Sequence, residues 1–305
     1  MDLADAVVGG DPRAIARAIS MVEDGAPELA ELSAALFPRT GRAWTVGLTG
    51  SPGVGKSTLA AALVGQARGR GERVAVLAID PTSPFTGGAL LGDRLRMQEH
   101  ATDPGVFIRS MATRGHLGGM ALAAPEAVRI LDAAGHDLVI VETVGVGQAE
   151  VDVAAATDTT LVVVAPGWGD AVQVAKAGIL EIADVFVVNK ADREGASVAA
   201  RDLRQMLHLG EATPWSPPVV EVSANEGTGL DDLRAEIERH RAFLAEGGGL
   251  EANRRERLLR EVEALAAEHL RRDLRARLGA DPGLGDDLLA RRLDPYAAAA
   301  RLGAS

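Results

Sequence analysis

Between Trp44 and Val222 the chain alternates short apolar runs with longer amphipathic stretches. The runs occupy 44–49, 73–79, 106–109, 138–142, 160–165, 184–188 and 219–222 and are rich in Val, Ile and Leu. Such continuous runs suit strands buried on both faces of a parallel sheet, because a strand with one wet face alternates instead. Helical stretches lie between most of them and supply the crossovers that parallel strands require. The pattern therefore predicts an α/β fold, a mostly parallel sheet covered by helices on both faces. Residues 11–37 read as two short helices: Asp11 caps Pro12 at the first helical position, Pro27 opens the second and Pro38 stops it. Gly247-Gly248-Gly249 reads as a linker. Beyond it, Leu258, Val262, Leu265, Leu270, Leu274 and Leu278 recur among Arg and Glu, which predicts an amphipathic helix over 250–278 and a shorter one around 285–302. Three segments result: an N-terminal helical extension (1–42), the sheet domain (43–246) and a C-terminal helical extension (247–305). An apolar stripe on a helix outside the sheet domain would be exposed in one copy, so it marks an interface.

Composition narrows the class. The 305 residues are 47% apolar with a net charge of -11, enough for a large packed core and far from the basic balance of a nucleic-acid binder. With no cysteine there is no disulfide and no thiolate metal site. The start, MDLADAVVGGDPRA, lacks the basic end and apolar core of a signal peptide, and no apolar run approaches a membrane span, so a soluble, cytoplasmic protein is expected. Of the 32 basic residues only three are Lys, at positions 56, 176 and 190; the other 29 are Arg. A chain with that preference keeps Lys where a point-charge ammonium is wanted rather than a planar fork.

Two of those lysines fall in motifs. The stretch 50–57, GSPGVGKS, fits G-x-x-x-x-G-K-[ST], follows an apolar run and precedes a helical one, which is the context the phosphate-binding loop requires. The loop of Gly50, Ser51, Pro52, Gly53, Val54 and Gly55, through the N–H groups of its residues other than Pro52, and the helix start at Lys56, Ser57 and Thr58 would surround phosphate oxygens. Lys56 would reach the β and γ phosphates and Ser57 would hold Mg2+. A glycine-rich turn without ligand is a poor alternative when Lys, Ser and both flanking elements are present. The second motif is Asn189-Lys190-Ala191-Asp192, at the end of an apolar strand. Guanine presents two adjacent N–H donors, which an ionised Asp192 satisfies, whereas adenine would leave that acceptor unmatched. Asn189 would brace the loop and the Lys190 stem would lie over the base. SANEGTG at 223–229 follows the next strand, where Ser223, Ala224 and Asn225 would bring a backbone amide to the guanine carbonyl. Together the loops predict a site for GTP and GDP.

The metal side is less ordinary. Asp80 ends a predicted strand, and Asp93 follows through a glycine-rich loop; both suit Mg2+, a hard cation held by carboxylates, phosphates and water. Asp93 reads equally as a helix N-cap. VETVGVGQAE at 141–150 places Glu142 where an Asp usually stands, one methylene longer, so that it would reach the metal through water, with Gly145 near the γ-phosphate. Val146 follows directly where small GTPases carry the water-orienting Gln, and Gln148 is displaced, so basal hydrolysis should be slow. Arg109, Arg114 and His116 stay open between phosphate or partner contact and ordinary surface or loop packing.

DPTSPFTGGALLGD, FIRSMATRGHLGG, VETVGVGQAE and the segment Gln173-x-x-Lys176-x-Gly178 followed by NKAD resemble the accessory GTPases of adenosylcobalamin-dependent acyl-CoA mutases, over nearly the whole chain. The resemblance implies a P-loop NTPase that forms a homodimer through its C-terminal helices. It further implies that the protein gates adenosylcobalamin delivery to an acyl-CoA mutase, methylmalonyl-CoA mutase first, and protects that enzyme. By the same resemblance Lys56, Ser57, Asp80, Asp93 and Glu142 are phosphate and metal residues, Glu142 being the family's own form. Asn189, Lys190, Asp192, Ser223 and Ala224 hold the base. The loop 167–178, with Gln173 and Lys176, is a third switch facing the partner; the alternative for Lys176 is a solvated lysine. Rival readings are a nickel-inserting GTPase, which needs clustered soft or imidazole ligands where this chain scatters six His and has no Cys; a P-loop kinase, which Asp192 disfavours; and a scaffold whose nucleotide is structural.

Overall fold

The computed structural model describes residues 2–81, 100, 102–113, 120–143, 149–167, 181–209 and 213–303. Among these lies a seven-stranded sheet in which every pairing is parallel. Its strands are β1 (Trp44–Thr49), β2 (Val74–Pro81), β3 (Val106–Thr113), β4 (Leu138–Thr143), β5 (Thr159–Val164), β6 (Val185–Asn189) and β7 (Val219–Val222). Their order is β3-β2-β4-β1-β5-β6-β7. β1, β4, β5 and β6 are buried at every residue, which is why their apolar runs are unbroken. β7, at the edge, alternates half-buried and buried positions.

Alternate residues of each strand serve different helical layers. On one face Val46, Leu48, Val76, Ile140 and Val163 share a core with α4 (Lys56–Gly69) and α8 (Leu230–Glu246). On the other, Leu77, Ile79, Val139 and Val141 share one with α1 (Leu3–Val8), α2 (Pro12–Asp24), α3 (Leu29–Leu36), α5 (Met120–Ala133) and Val153 of α6 (Ala149–Ala156). Phe186 and Val188 of β6 are covered by α7 (Ala196–Leu209). The N-terminal helices are thus a structural layer of the sheet: Val7, Ile15, Ile19 and Leu36 are fully buried in it, each contributing about 1.5–3 kcal/mol. Asp11 caps α2 by accepting from the Ala14 N–H at 2.7 Å. Arg109 of β3 donates to Ser20 Oγ at 2.8 Å and to Glu23 Oε2 at 2.7 Å, tying the edge strand to α2.

The chain divides into two compact units, Met1–Arg257 and Leu258–Ser305. The Gly247-Gly248-Gly249 triplet is a tight turn rather than a linker. α8 ends at Glu246, Gly248 takes a left-handed φ of 68°, and α9 (Gly249–Ala280) starts at once. The first turns of α9 are anchored on buried Asp158. Arg254 donates to it through Nε at 3.1 Å and Nη2 at 2.7 Å, and Arg257 also bonds it. Arg254 further donates to the carbonyls of Gly41 and Ala43 at 2.6 and 2.9 Å. In the second unit the single helix expected around 285–302 is two, α10 (Pro282–Leu289) and α11 (Pro295–Gly303). Arg291, at φ 58°, breaks the run, and Asp294 caps α11 by accepting from Tyr296 N–H at 2.9 Å. The predicted stripe on α9 is exposed within one copy, from 40% at Leu258 to 64% at Leu270.

Candidate functional site

Open parallel sheets bind ligands beyond the carboxyl ends of their strands, where the strand order reverses. Here that point is β1, which lies between β4 and β5. β1 runs directly into the glycine-rich loop, and α4 begins at Lys56. The loop needs its glycines: Gly50 has φ 133°, and a Cβ there would lie 2.1 Å from the Val163 carbonyl oxygen. At Gly55, φ is 96° and a Cβ would lie 2.5 Å from Asn189 Nδ2. Ser51 and Thr58 are half-buried, Pro52 and Gly53 exposed, and Val54 buried. Lys56 is buried, and its Nζ donates to the carbonyls of Gly50 at 2.6 Å and Ser51 at 3.0 Å, which holds the ammonium over the loop.

The first turn of α4 meets the end of β4. Leu48 lies opposite Glu142 in the β1–β4 ladder, and Ser57 Oγ donates to Glu142 Oε1 at 2.6 Å, both residues being buried. A hydroxyl and a carboxylate side by side are hard oxygen donors, the set that fits magnesium rather than a soft metal. Asp80 stands at the carboxyl end of β2, opposite Ala112 of β3. Asp93, Gly145, Gln173 and Lys176 lie outside the described residues, as do Arg114, His116, Val146 and Gln148.

The side expected from the sequence to hold the base is built from the ends of β6 and β7. Asn189, 3% exposed, donates through Nδ2 to the Val54 carbonyl at 2.9 Å and accepts at Oδ1 from the Ala224 N–H at 3.2 Å. One side chain therefore joins the phosphate loop to the two loops expected to hold the base. Lys190 adopts a left-handed φ of 61° and donates through Nζ to the Gly53 carbonyl at 2.6 Å. Asp192 is exposed and accepts from Ser223 Oγ at 2.7 Å. That bond, followed by one from its own N–H, holds the Asp192 carboxyl below its ordinary range, so it is ionised at neutral pH. Asn225 is exposed beside Ala224. Thr228 and Gly229, not singled out from the sequence, close this loop. Ser223 N–H donates to the Thr228 carbonyl at 3.0 Å, and a Cβ at Gly229 would lie 2.1 Å from the Glu221 carbonyl. The G-T-G inside SANEGTG was the available signal.

An all-parallel sheet with a phosphate loop at its switch point defines the class: a P-loop NTPase, built to bind a nucleotide. The family model described as methylmalonyl-CoA mutase-associated GTPase MeaB matches residues 15–278, and the chain belongs to that family. A Pyrococcus horikoshii protein named provisionally as a GTPase is 48% identical over 302 residues, covering 98% of this chain and 95% of its own. The methylmalonic aciduria type A homolog of Caenorhabditis elegans, a mitochondrial protein, is 37% identical over 230 residues, 73% of this chain and 57% of its own. The crystal structure of a LAO/AO transport system kinase matches with a TM-score of 0.74 at 27% identity, over 99% of this chain and 95% of that one. No helix among the described residues is long and apolar enough to cross a membrane.

Proposed function

We propose that the chain binds and hydrolyses GTP and acts as a chaperone of an adenosylcobalamin-dependent acyl-CoA mutase, gating delivery of that cofactor and protecting the enzyme. Methylmalonyl-CoA mutase is the partner favoured by the family's description and by the name of the nematode relative. The observation that carries the guanine reading is Asp192, ionised, exposed and aimed by Ser223, on a loop that Asn189 fastens to the phosphate loop. An acceptor-only group at that place selects a base with two adjacent donors.

In this reading Gly50 to Gly55 surround the phosphates, and Lys56 leaves its two carbonyl partners for phosphate oxygens. Ser57 and Glu142, with Asp80 and Asp93, would hold Mg2+, which when bound would neutralise charge on the transferring phosphoryl group. Val146 in place of a water-orienting Gln makes the basal rate slow and the partner its accelerator. Gln173 and Lys176 report nucleotide state to the mutase, and the apolar stripe of α9 is covered by a second copy of the chain.

Titration calorimetry with the full chain and Mg2+ should give GDP and GTP affinities at least a hundredfold above those for ADP and ATP, and Asp192→Asn should erase most of that preference. ADP binding as tight as GDP would overturn the guanine reading. GTP turnover indifferent to an added acyl-CoA mutase would overturn the chaperone reading and leave the nucleotide assignment standing.

A further inference from the structure

A cavity lies at the end of the sheet opposite the phosphate loop, where β1 and β4 begin and α4 ends. It encloses about 330 Å³, at the small end of the range for ligand pockets and too small for a polypeptide segment with side chains of any size. Its floor is apolar, made by Trp44 and Val46 of β1, Ile140 of β4, Leu63 of α4 and Ile237 of α8. Its rim is basic: Arg42, Arg70, Arg234 and Arg241 face three carboxylates, Glu72, Asp137 and Glu238, in a chain whose net charge is -11.

The charges on that rim are not evenly matched. Arg234 takes two of the carboxylates, Glu72 at 2.9 Å and Glu238 at 2.6 Å. Asp137 is engaged by the backbone N–H of Arg73 at 2.8 Å. Arg42, Arg70 and Arg241 make no ion pair among the described residues, and the Arg241 guanidinium instead lies 5.0 Å from the centre of the Trp44 ring. Three exposed guanidiniums without a carboxylate partner thus stand around an apolar floor, an arrangement that fits a negatively charged acceptor carried on a small apolar body.

We propose that this basal cavity binds a small organic carboxylate, its head held by Arg70 and Arg241, its short hydrocarbon body on the floor of Trp44, Val46, Leu63, Ile140 and Ile237. Arg suits the head because its planar fork meets a carboxylate with two parallel hydrogen bonds. The floor distinguishes the ligand from inorganic anions, which would leave it in contact with water. Nothing in this proposal depends on which nucleotide the other end of the sheet accepts.

The test is calorimetry on the full chain with hexanoate, hexanol and inorganic phosphate as probes, each run with and without saturating GDP. Hexanoate should bind with a stoichiometry of one, at least tenfold more tightly than hexanol or phosphate, and equally well with GDP present. Arg70→Gln and Arg241→Gln should each weaken hexanoate at least fivefold. Both residues are exposed and free of ion pairs, so both variants should keep the far-ultraviolet circular dichroism of the parent. No saturable heat with hexanoate overturns the proposal. Phosphate binding as tight as hexanoate would reduce the site to a bare anion patch, competition by GDP would move the binding to the phosphate loop, and insensitivity to both Arg variants would move it elsewhere; each of these also overturns it.

Discussion

Replacing Asn189 by Ala removes the side chain that fastens three loops to one another. The lost bonds are Nδ2 to the Val54 carbonyl at 2.9 Å and the Ala224 N–H to Oδ1 at 3.2 Å, with a weaker contact to the Gly55 carbonyl at 3.4 Å. Asn189 is 3% exposed, so water replaces these bonds poorly. At about 1 kcal/mol net for each of the two good bonds, the loss comes to about 2 kcal/mol. The phosphate loop and the SAN loop are then free to part, and a nucleotide that touches both must restore their spacing as it binds. If the whole 2 kcal/mol reappears as binding cost, GDP affinity falls about thirtyfold, since about 1.4 kcal/mol is tenfold. Asn189→Asp should do at least as much damage, because it sets an acceptor against the Val54 carbonyl. Calorimetry gives the affinity, and urea unfolding of the nucleotide-free variants gives the stability. A folded Asn189→Ala protein that binds GDP within threefold of the parent would refute the idea that this residue couples the loops.

Two further outcomes follow from features outside the site. Burial pushes the Asp158 carboxyl up, but the hydrogen bond from Arg254 and the charges of Arg257 and Arg254 outweigh it, so its pKa lies below the ordinary 3.8. A carboxyl depressed on folding contributes stability that is complete above the unfolded value and is lost as pH falls through the folded one, so this share should begin to fall near pH 3.8 and be lost as the pH drops through the lower folded value. Asp158→Ala, which strands Arg254 and Arg257 when Asp158 itself is 1% exposed, should cost about 3–5 kcal/mol in urea unfolding at neutral pH, and a cost under 1 kcal/mol would show the anchor to be idle. For the stripe on α9, light scattering of the full chain should report a dimer, and the double variant Val262→Glu, Leu265→Glu, at positions 62% and 42% exposed, should report a monomer of unchanged helicity; a monomeric parent would refute the second-copy assignment.

Much of the sheet was readable because parallel strands are buried on both sides and write themselves as unbroken apolar runs. The candidate loops were readable for a related reason: the motifs at 50–57 and 189–192 are local, so Lys56, Ser57, Asn189 and Asp192 stand out within a few residues, and the structure sets both motifs at the carboxyl ends of strands. What escaped was long-range or ambiguous chemistry. α1 is six residues long and its Asp2 makes no side-chain cap, so nothing in LADAVV marks a helix start. The three glycines at 247–249 serve equally for a flexible linker and for a helix terminus in left-handed conformation, and only Gly248 at φ 68° decides between them. Asp158 meets Arg254 and Arg257 from nearly a hundred residues away, and in an Arg-rich helix neither arginine stands out. The basal cavity is of the same kind, since its arginines come from three separate places in the chain: Arg42, Arg70, and Arg234 with Arg241 on α8.

The central position of β1 also sets a timetable for the chain. Trp44 pairs with Leu138 and Val46 with Thr159, so the strand that leads into the phosphate loop has no neighbour until about a hundred further residues exist. Loop closure over such a span slows folding, and synthesis proceeds at about 5–20 residues per second. For several seconds on the ribosome, the segment from Trp44 to Ser57 is an apolar strand and a glycine-rich loop with nothing to pair with. Asn189, which clamps that loop, is made later still. The nucleotide site therefore matures among the last parts of the sheet domain, and a nascent chain arrested before Val164 should fail to retain nucleotide however complete its phosphate-loop sequence is.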